Sequence, residues 1–199
     1  MKKTDILIFA TNNKHKVEEV RNVLGSRFNI ISLSEAGINI DIPEPHDTLE
    51  ANAVEKSTAI LQITGNNCFS EDTGLETEAL NGQPGVKSAR YAGEGKDFND
   101  NINKLLLELK DKTNRNARFR TIISLLLDGN DYLFEGICDG KIITEKRGSK
   151  GFGYDPVFIP AGSVKTFAEM DMEEKNKFSH RKKAMEKLIC FLNKKNGKD

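Results

Sequence analysis

The chain has 199 residues, of which 37% are hydrophobic and 30% charged. These are ordinary values for a globular protein, and they exclude a disordered tail. A chain of this length buries about 70% of its unfolded surface, so it needs no disulfide or metal to hold its core. Thirty basic residues balance thirty acidic ones, which argues against nucleic acid or an anionic membrane surface as the partner.

The longest apolar stretches, at residues 6–10 and 125–127, are too short to cross a bilayer. No cleavage site follows the first of them, so we expect no secretory signal and a cytoplasmic protein. The three cysteines are far apart and show no C-x-x-C spacing, which predicts reduced, structural thiols. The three histidines are equally scattered, which disfavours a zinc site.

The first predicted unit is a strand over residues 6–10, a polar turn over 11–16 and a helix. Apolar side chains recur at helical spacing until Gly25, namely Val17, Val20 and Leu24. Such a turn suits a phosphate, because backbone N–H groups and the positive end of the helix dipole converge there. An ordinary helix cap with solvated lysines is an equally good interpretation of these residues.

A second helix is predicted from a capping box at residues 47–50 to Gly65, and a short buried strand follows at residues 68–70. We expect this strand to end in an acidic turn at residues 71–74, where α/β proteins place ligands. The two carboxylates of the turn suit Mg²⁺, which prefers hard oxygen ligands. A solvated acidic turn is the other interpretation.

The second half of the chain predicts a helix beginning at Asp97, an antiparallel meander and a last helix. The β-like runs are residues 119–127, 132–138 and 141–144, and the hairpin signals between them are residues 128–131 and 139–140. The tail at 196–199 is expected to fray, which leaves one domain over residues 1–195. Together, these predicted elements indicate an α/β fold. We expect a mixed sheet with flanking helices in an elongated, two-lobed single domain with a central cleft.

Two charged residues, Lys56 and Arg181, lie on the apolar lines of their helices. An inward charge is costly unless it meets an anion, so together they indicate an anionic ligand. Taken singly, each also suits a structural ion pair or a stem that reaches solvent. The segment 151–155 combines glycines, two aromatic rings and a carboxylate, which suits either a base-stacking loop or a turn packed on the core.

Taken in order, these segments resemble the inosine/xanthosine triphosphate pyrophosphatase family. The resemblance rests on residues 11–16 with Glu18 or Glu19, 52–56, 71–75, 84–93, 151–158, 166–170 and 173–181. It implies a Mg²⁺-dependent homodimer that hydrolyses the non-standard purine nucleotides ITP, dITP and XTP to the monophosphate and pyrophosphate. The alternatives are a sister pyrophosphatase for other modified nucleotides and a nucleotide sensor without catalysis.

The resemblance also implies roles for single residues. Asp72 is the expected catalytic acid/base, and Glu44 and Asp72 are the expected Mg²⁺ ligands. The expected substrate-binding residues are Thr11, Asn12, Asn13, Lys14, His15, Lys16 and Lys56 for the triphosphate, Thr73 beside Asp72, and Phe152, Gly153, Tyr154, Asp155, Lys175, His180 and Arg181 for base and sugar. Phe152 is expected to stack on the purine. The sequence departs from the family pattern at Glu71, Thr73 and Lys146, where Asp, Ser and Pro are frequent.

Overall fold

The computed structural model describes residues 6–24 and 29–195. Its strands are β1 (Ile6–Phe9), β2 (Asn29–Ser32), β3 (Cys68–Thr77), β4 (Pro84–Gly85), β5 (Asn116–Leu127), β6 (Asn130–Ile142) and β7 (Phe158–Pro160). Its helices are α1 (Lys14–Leu24), α2 (Leu49–Thr64), α3 (Phe98–Glu108), α4 (Met172–Asn176) and α5 (His180–Lys195). The helix end predicted at Gly25 and the tail at 196–199 lie outside the described residues.

The strands are hydrogen-bonded in the order β2-β1-β3-β5-β6-β7, and β4 pairs with β3. β1 is parallel to both β2 and β3, whereas β4 and β7 are antiparallel to β3 and β6. The predicted α/β fold with a mixed sheet and flanking helices is therefore confirmed. No helix in the described ranges has both the length and the apolar character needed to span a membrane.

The chain divides into two compact units. The first unit comprises Met1–Asp72, Thr121–Gly136 and Arg181–Asp199. In its core the rings of Phe9 and Phe69 stack with centroids 4.4 Å apart. The apolar faces of α1 and α5 pack on this core through Val17, Val20, Leu24, Met185, Leu188 and Leu192. The periodic residues that predicted α1 are thus the ones that bury it.

The second unit comprises Thr73–Arg120 and Ile137–His180. Phe119 lies at the centre of its core, with the ring centroids of Phe158 and His180 each 4.7 Å away. Helix α3 adds Ile102 and Leu105 to this core, and Leu109, the residue at its C-cap, adds a third side chain. Its predicted start is confirmed, because the Asp97 side chain accepts hydrogen bonds from the Asn99 and Asp100 amides.

The start of α2 differs from the prediction by one residue. Thr48, not Asp47, is the N-cap, and its hydroxyl accepts a hydrogen bond from the Ala51 amide at 3.2 Å. Both residues are good caps, so the sequence pattern alone does not choose between them. The predicted end is confirmed by Gly65, which has the left-handed conformation with φ of 65°.

The predicted turn at residues 71–74 is wrong, because β3 continues through it to Thr77. The strand is extended by its pairing with β4, in which Leu75 lies opposite Gly85 and Glu76 opposite Pro84. Gly74 permits this close pairing, since a Cβ there would lie 2.6 Å from the Gly85 carbonyl oxygen. The acidic pair is therefore inside a strand and not on a surface loop.

The meander contains one of its two predicted hairpins. At the first, Asp128 and Gly129 both have positive φ, as a two-residue type I′ turn requires. The second, at residues 139–140, is wrong because β6 runs through it to Ile142. Gly140 is needed there for space: a Cβ would lie 2.6 Å from Phe158 Cζ and closer still to the Ile159 carbonyl oxygen.

We expect Gly140→Ala to lower the free energy of unfolding by about 1–3 kcal/mol, because the added methyl group overpacks the contact with β7. Urea denaturation measures this change. Gly95→Ala is the control, because a Cβ at Gly95 meets no atom within 4 Å. Equal stabilities of the two variants would contradict the close approach at Gly140.

Candidate functional site

A lysine lies between two carboxylates in the first unit. The Lys56 ammonium donates to Glu44 Oε1 at 2.6 Å and to Asp72 Oδ1 at 2.9 Å. The side chains of Lys56 and Asp72 are each only 8% exposed, and that of Glu44 is 24% exposed. We call these three residues the Lys56 cluster. It brings together both expected metal ligands and one expected triphosphate ligand.

Helix α2 positions this cluster from its buried face. Lys56 lies one turn after Asn52, whose side-chain oxygen accepts from the His46 amide at 2.9 Å. The Asn52 amide in turn donates to the His46 carbonyl at 3.0 Å. These two bonds tie the segment that carries Glu44 to α2. Asn52 is a positioning residue that the sequence showed only as part of a motif. The feature that could have identified it is a polar residue on the buried line of a helix.

In the Lys56 cluster, the protonation states of Lys56 and Asp72 each depend on the charges of the other two residues. Burial lowers the pKa of Lys56, but Asp72 and Glu44 outweigh it and the pKa lies above its ordinary value. Lys56 is therefore an ammonium ion. Burial raises the pKa of Asp72 above its ordinary value, although Lys56 and Lys16 act in the opposite direction. Asp72 thus combines a buried position with an environment that favours taking up a proton.

The donor set of the cluster fits Mg²⁺. Glu44 and Asp72 already converge on one cation, and Asp72 Oδ2 is buried without a hydrogen-bond partner in the described part of the chain. No group of three or more His, Cys, Asp or Glu side chains suited to a metal occurs within residues 6–24 and 29–195. Two carboxylates are sufficient for Mg²⁺, which usually completes its shell with water and substrate phosphates.

Glu71, the neighbour of Asp72, has different partners. Arg181 Nε donates to Glu71 Oε2 at 2.7 Å and Arg181 Nη2 to Oε1 at 2.9 Å. Lys16 Nζ lies 3.1 Å from Oε1, and the Glu71 side chain is fully buried. Burial would raise the pKa of Glu71, but Arg181 and then Lys16 outweigh it and hold that pKa well below its usual range. Glu71 is thus a permanent carboxylate engaged by cations.

The guanidinium of Arg181 contacts two carboxylates of the first unit, those of Glu71 and Glu19. Its third nitrogen, Nη1, donates to Glu19, so all three guanidinium nitrogens contact a carboxylate. This geometry favours a structural ion pair, one of the two interpretations that the sequence left open, over contact with a base. Sequence analysis gave Glu19 no role. The sequence feature that could have identified Glu19 is its place beside the buried stripe of α1, but nothing in the sequence identifies its partner.

The polar turn at residues 11–13 caps α1. The Asn13 side chain accepts from the Lys16 amide at 3.2 Å, and the Thr11 hydroxyl accepts from the Asn13 amide at 3.1 Å. The Asn12 side chain donates to the Ile40 carbonyl at 3.2 Å. Lys14 and His15 are exposed, whereas Lys16 points towards Glu71. Helix capping therefore accounts for part of this motif, and its role towards a triphosphate stays a prediction.

The expected purine residues lie mainly in the second unit. Asp155 Oδ2 accepts from Lys175 Nζ at 2.6 Å and from the Phe152 amide at 3.0 Å. The Lys175 ammonium lies 5.4 Å from the centre of the Phe152 ring, within cation–π range. A Cβ at Gly151 would collide with Asp155 Oδ2, and Gly151 has φ of 73°, so glycine is required. The structure brings Phe152, Asp155 and Lys175 together.

Four other expected site residues have different settings. The buried Tyr154 hydroxyl donates to the Ser88 carbonyl at 2.9 Å, and burial raises the pKa of Tyr154. His180 is buried and stacks on Phe119. Gly153 has φ of 58° and open space beside it. Thr73 is half-buried and follows Asp72 in β3, so alternation directs it to the opposite face. Their contact with a substrate stays a prediction.

Comparison with known proteins gives consistent matches along the chain. A model of the Ham1 family matches residues 7–191. A dITP/XTP pyrophosphatase of Flavobacterium psychrophilum is 52% identical over 186 residues, 94% of this chain and 98% of that protein. One from Porphyromonas gingivalis is 50% identical over 187 residues, 94% and 96% of the two chains. The solved Ham1 protein of Staphylococcus aureus has a TM-score of 0.87 at 38% identity, covering 96% of this chain and all of that one. The resemblance drawn from the motifs is confirmed.

We expect Arg181→Met to lower the free energy of unfolding by about 3–5 kcal/mol, because it removes the guanidinium that bonds to two buried carboxylates, Glu71 and Glu19. Arg21→Met is the matched control, since Arg21 pairs with Glu35 on the surface and such pairs contribute about 0–1 kcal/mol. Urea denaturation of both variants measures the difference. A loss in Arg181→Met no larger than in Arg21→Met would contradict the structural role.

Proposed function

The chain belongs to the Ham1 family, and we propose that it hydrolyses non-standard purine nucleoside triphosphates of the dITP and XTP type to the monophosphate and pyrophosphate. The relatives named dITP/XTP pyrophosphatases match it over nearly its whole length. The observation that carries the chemistry is the Lys56 cluster, in which a buried carboxylate oxygen of Asp72 has no hydrogen-bond partner within residues 6–24 and 29–195. Such an oxygen is available to a reacting water.

The proposed reaction is an in-line displacement at the α-phosphorus. A water oxygen bonds to phosphorus, the bond from phosphorus to the bridging oxygen of pyrophosphate breaks, and the water loses a proton. Such a displacement asks the protein mainly for positioning and charge neutralisation. We assign the proton to Asp72 and not to Glu71, because Arg181 and Lys16 hold Glu71 as a paired carboxylate.

We further propose Mg²⁺ as the cofactor, held by Glu44 and Asp72. When bound there, Mg²⁺ neutralises phosphate charge and lowers the pKa of water. Lys16 contacts Glu71 and Lys56 contacts Asp72, the two consecutive acidic residues of β3. Their ammonium groups would offset charge on the leaving pyrophosphate. The backbone amides at the start of α1 would add neutral donors to the same phosphates.

Recognition of the base is proposed for the second unit. Phe152 offers a ring face for stacking, and Lys175 beside it offers a donor. Hypoxanthine and xanthine carry an acceptor oxygen at C6, where adenine carries a donor amine. A lysine donor therefore favours the first two bases and leaves the adenine amine facing another donor. Both cations contact carboxylates, Lys175 through Asp155 and Arg181 through all three of its nitrogens. We assign the donor role to Lys175 because its ammonium lies beside the Phe152 ring.

We also propose a cytoplasmic homodimer, and the support for it is the family resemblance. Light scattering of the purified protein measures the assembly state. The two alternative functions are separated by turnover: a sister enzyme would prefer other modified nucleotides, and a nucleotide sensor would bind ITP without hydrolysing it.

The function is tested by incubating the protein with ITP and Mg²⁺ and identifying the products. We expect inosine monophosphate and pyrophosphate. Diphosphate with orthophosphate would contradict attack at the α-phosphorus. Asp72→Asn should lower kcat by about 10²- to 10⁴-fold, the usual contribution of a general base, with a smaller effect on nucleotide affinity. The exposed Asp111→Asn is the control and should keep full activity.

We expect Phe152→Ala to weaken the binding of ITP and ATP by similar factors, because stacking is worth about 1–3 kcal/mol per base and every base has a ring face. The kcat/KM ratio of ITP to ATP should therefore change little, as steady-state kinetics with both nucleotides will show. Phe152→Tyr keeps the ring and serves as the control. A collapse of that ratio in Phe152→Ala would assign base selection to Phe152 itself.

A further inference from the structure

The Lys56 ammonium is a cation already bound to the carboxylates that we assign to the metal. It is bonded to both of the carboxylates assigned to Mg²⁺, at 2.6 Å from Glu44 Oε1 and 2.9 Å from Asp72 Oδ1. Its side chain is only 8% exposed, so water cannot replace these contacts freely. The same lysine is also assigned to the triphosphate. One ammonium group cannot bond to both carboxylates, leave them open to a metal and bond to a phosphate at the same time.

We propose that Lys56 is an internal counter-ion that competes with Mg²⁺ for Glu44 and Asp72, so that the metal binds well only together with the triphosphate. This proposal rests on the proposed function, since it assigns the metal and the nucleotide to the same cluster. When both arrive, the ammonium transfers from the carboxylates to phosphate oxygens. Metal and nucleotide binding are therefore thermodynamically coupled through one side chain.

The charge balance of the cluster gives the physical reason. With Lys56 in place, two carboxylates and one ammonium leave one net negative charge. A divalent cation added to this set would produce net positive charge in a buried site, which is costly without a further anion. The triphosphate is that anion. Mg²⁺ also approaches its oxygen ligands to about 2.0–2.1 Å, so an ammonium bonded to the same two carboxylates hinders it.

The chemistry of lysine suits such a transfer. Its ammonium is a compact charge on a flexible four-carbon stem, with rotatable donors that need no fixed plane. Arg181 provides the contrast, because its planar group binds Glu71 through two nitrogens and Glu19 through the third. The two charged residues that the sequence placed on apolar helical lines thus differ in function: Arg181 is a fixed partner and Lys56 an exchangeable one.

The test uses Mn²⁺ as a probe for Mg²⁺, because electron paramagnetic resonance counts free Mn²⁺ directly. Mn²⁺ is titrated into wild type, Lys56→Met and Lys187→Met. Each titration is run without nucleotide and with an inosine triphosphate analogue whose α,β-bridging oxygen is replaced by methylene. Lys187 is exposed on α5, so its variant controls for the loss of one positive charge.

Without nucleotide, we expect Lys56→Met to bind Mn²⁺ at least about tenfold more tightly than wild type, because a cation within 4 Å of the metal's carboxylates has been removed. Lys187→Met should bind Mn²⁺ as wild type does. The analogue should tighten Mn²⁺ binding strongly in wild type and much less in Lys56→Met. Asp72→Asn, added to Lys56→Met, should abolish the gain if the probe is at this cluster.

Unchanged or weaker Mn²⁺ binding in Lys56→Met would overturn the proposal and make Lys56 a fixed structural partner. If that variant does not unfold cooperatively, Lys56→Gln is used instead, since it removes the charge but keeps a donor. The nucleotide-free titration needs no turnover. Tighter Mn²⁺ binding in a protein that fails to hydrolyse ITP would therefore refute the proposed function and leave the competition standing.

Discussion

Two consecutive carboxylates are buried inside one strand, and the surrounding structure is organised to neutralise them. Burial of an unpaired carboxylate is prohibitively costly, so each of the two requires a cation. Because side chains alternate along a strand, Glu71 and Asp72 point to opposite faces of β3 and must find different partners. Arg181 of α5 and Lys16 of α1 bind Glu71, and Lys56 of α2 binds Asp72.

The two partnerships lead to different chemistry. Glu71 has cations on both oxygens and anchors α1 and α5 to the strand. Asp72 has one oxygen on Lys56, while its other oxygen has no partner among the described residues. We therefore assign Glu71 a structural role and its chemically similar neighbour Asp72 the reactive one. The same distinction separates the fixed Arg181 from the mobile charge that we assign to Lys56.

Several features were predictable from the sequence because they depend on neighbours along the chain. Helical spacing of apolar residues identified α1, α3 and α5, and Gly65 marked the end of α2. Predictions from the local sequence were wrong where the segment pairs with a strand from elsewhere in the chain. The Asp139-Gly140 pair has the composition of a turn, yet the glycine is there because β7 passes over β6. The acidic segment of β3 was likewise assigned to a loop because its pairing with β4 is not visible locally.

The sequence by itself determined the family, the α/β class and the identity of the charged residues on buried lines, because motif spacing and periodicity are local properties. Only the tertiary structure decided which charges meet. Arg181 is 110 residues from Glu71 and 162 from Glu19, distances along the chain over which no pattern assigns a partner. Lys56 and Arg181 looked alike in the sequence, since each is a cation on an apolar line. Their different roles follow from the faces of β3 that α2 and α5 approach, which packing alone sets.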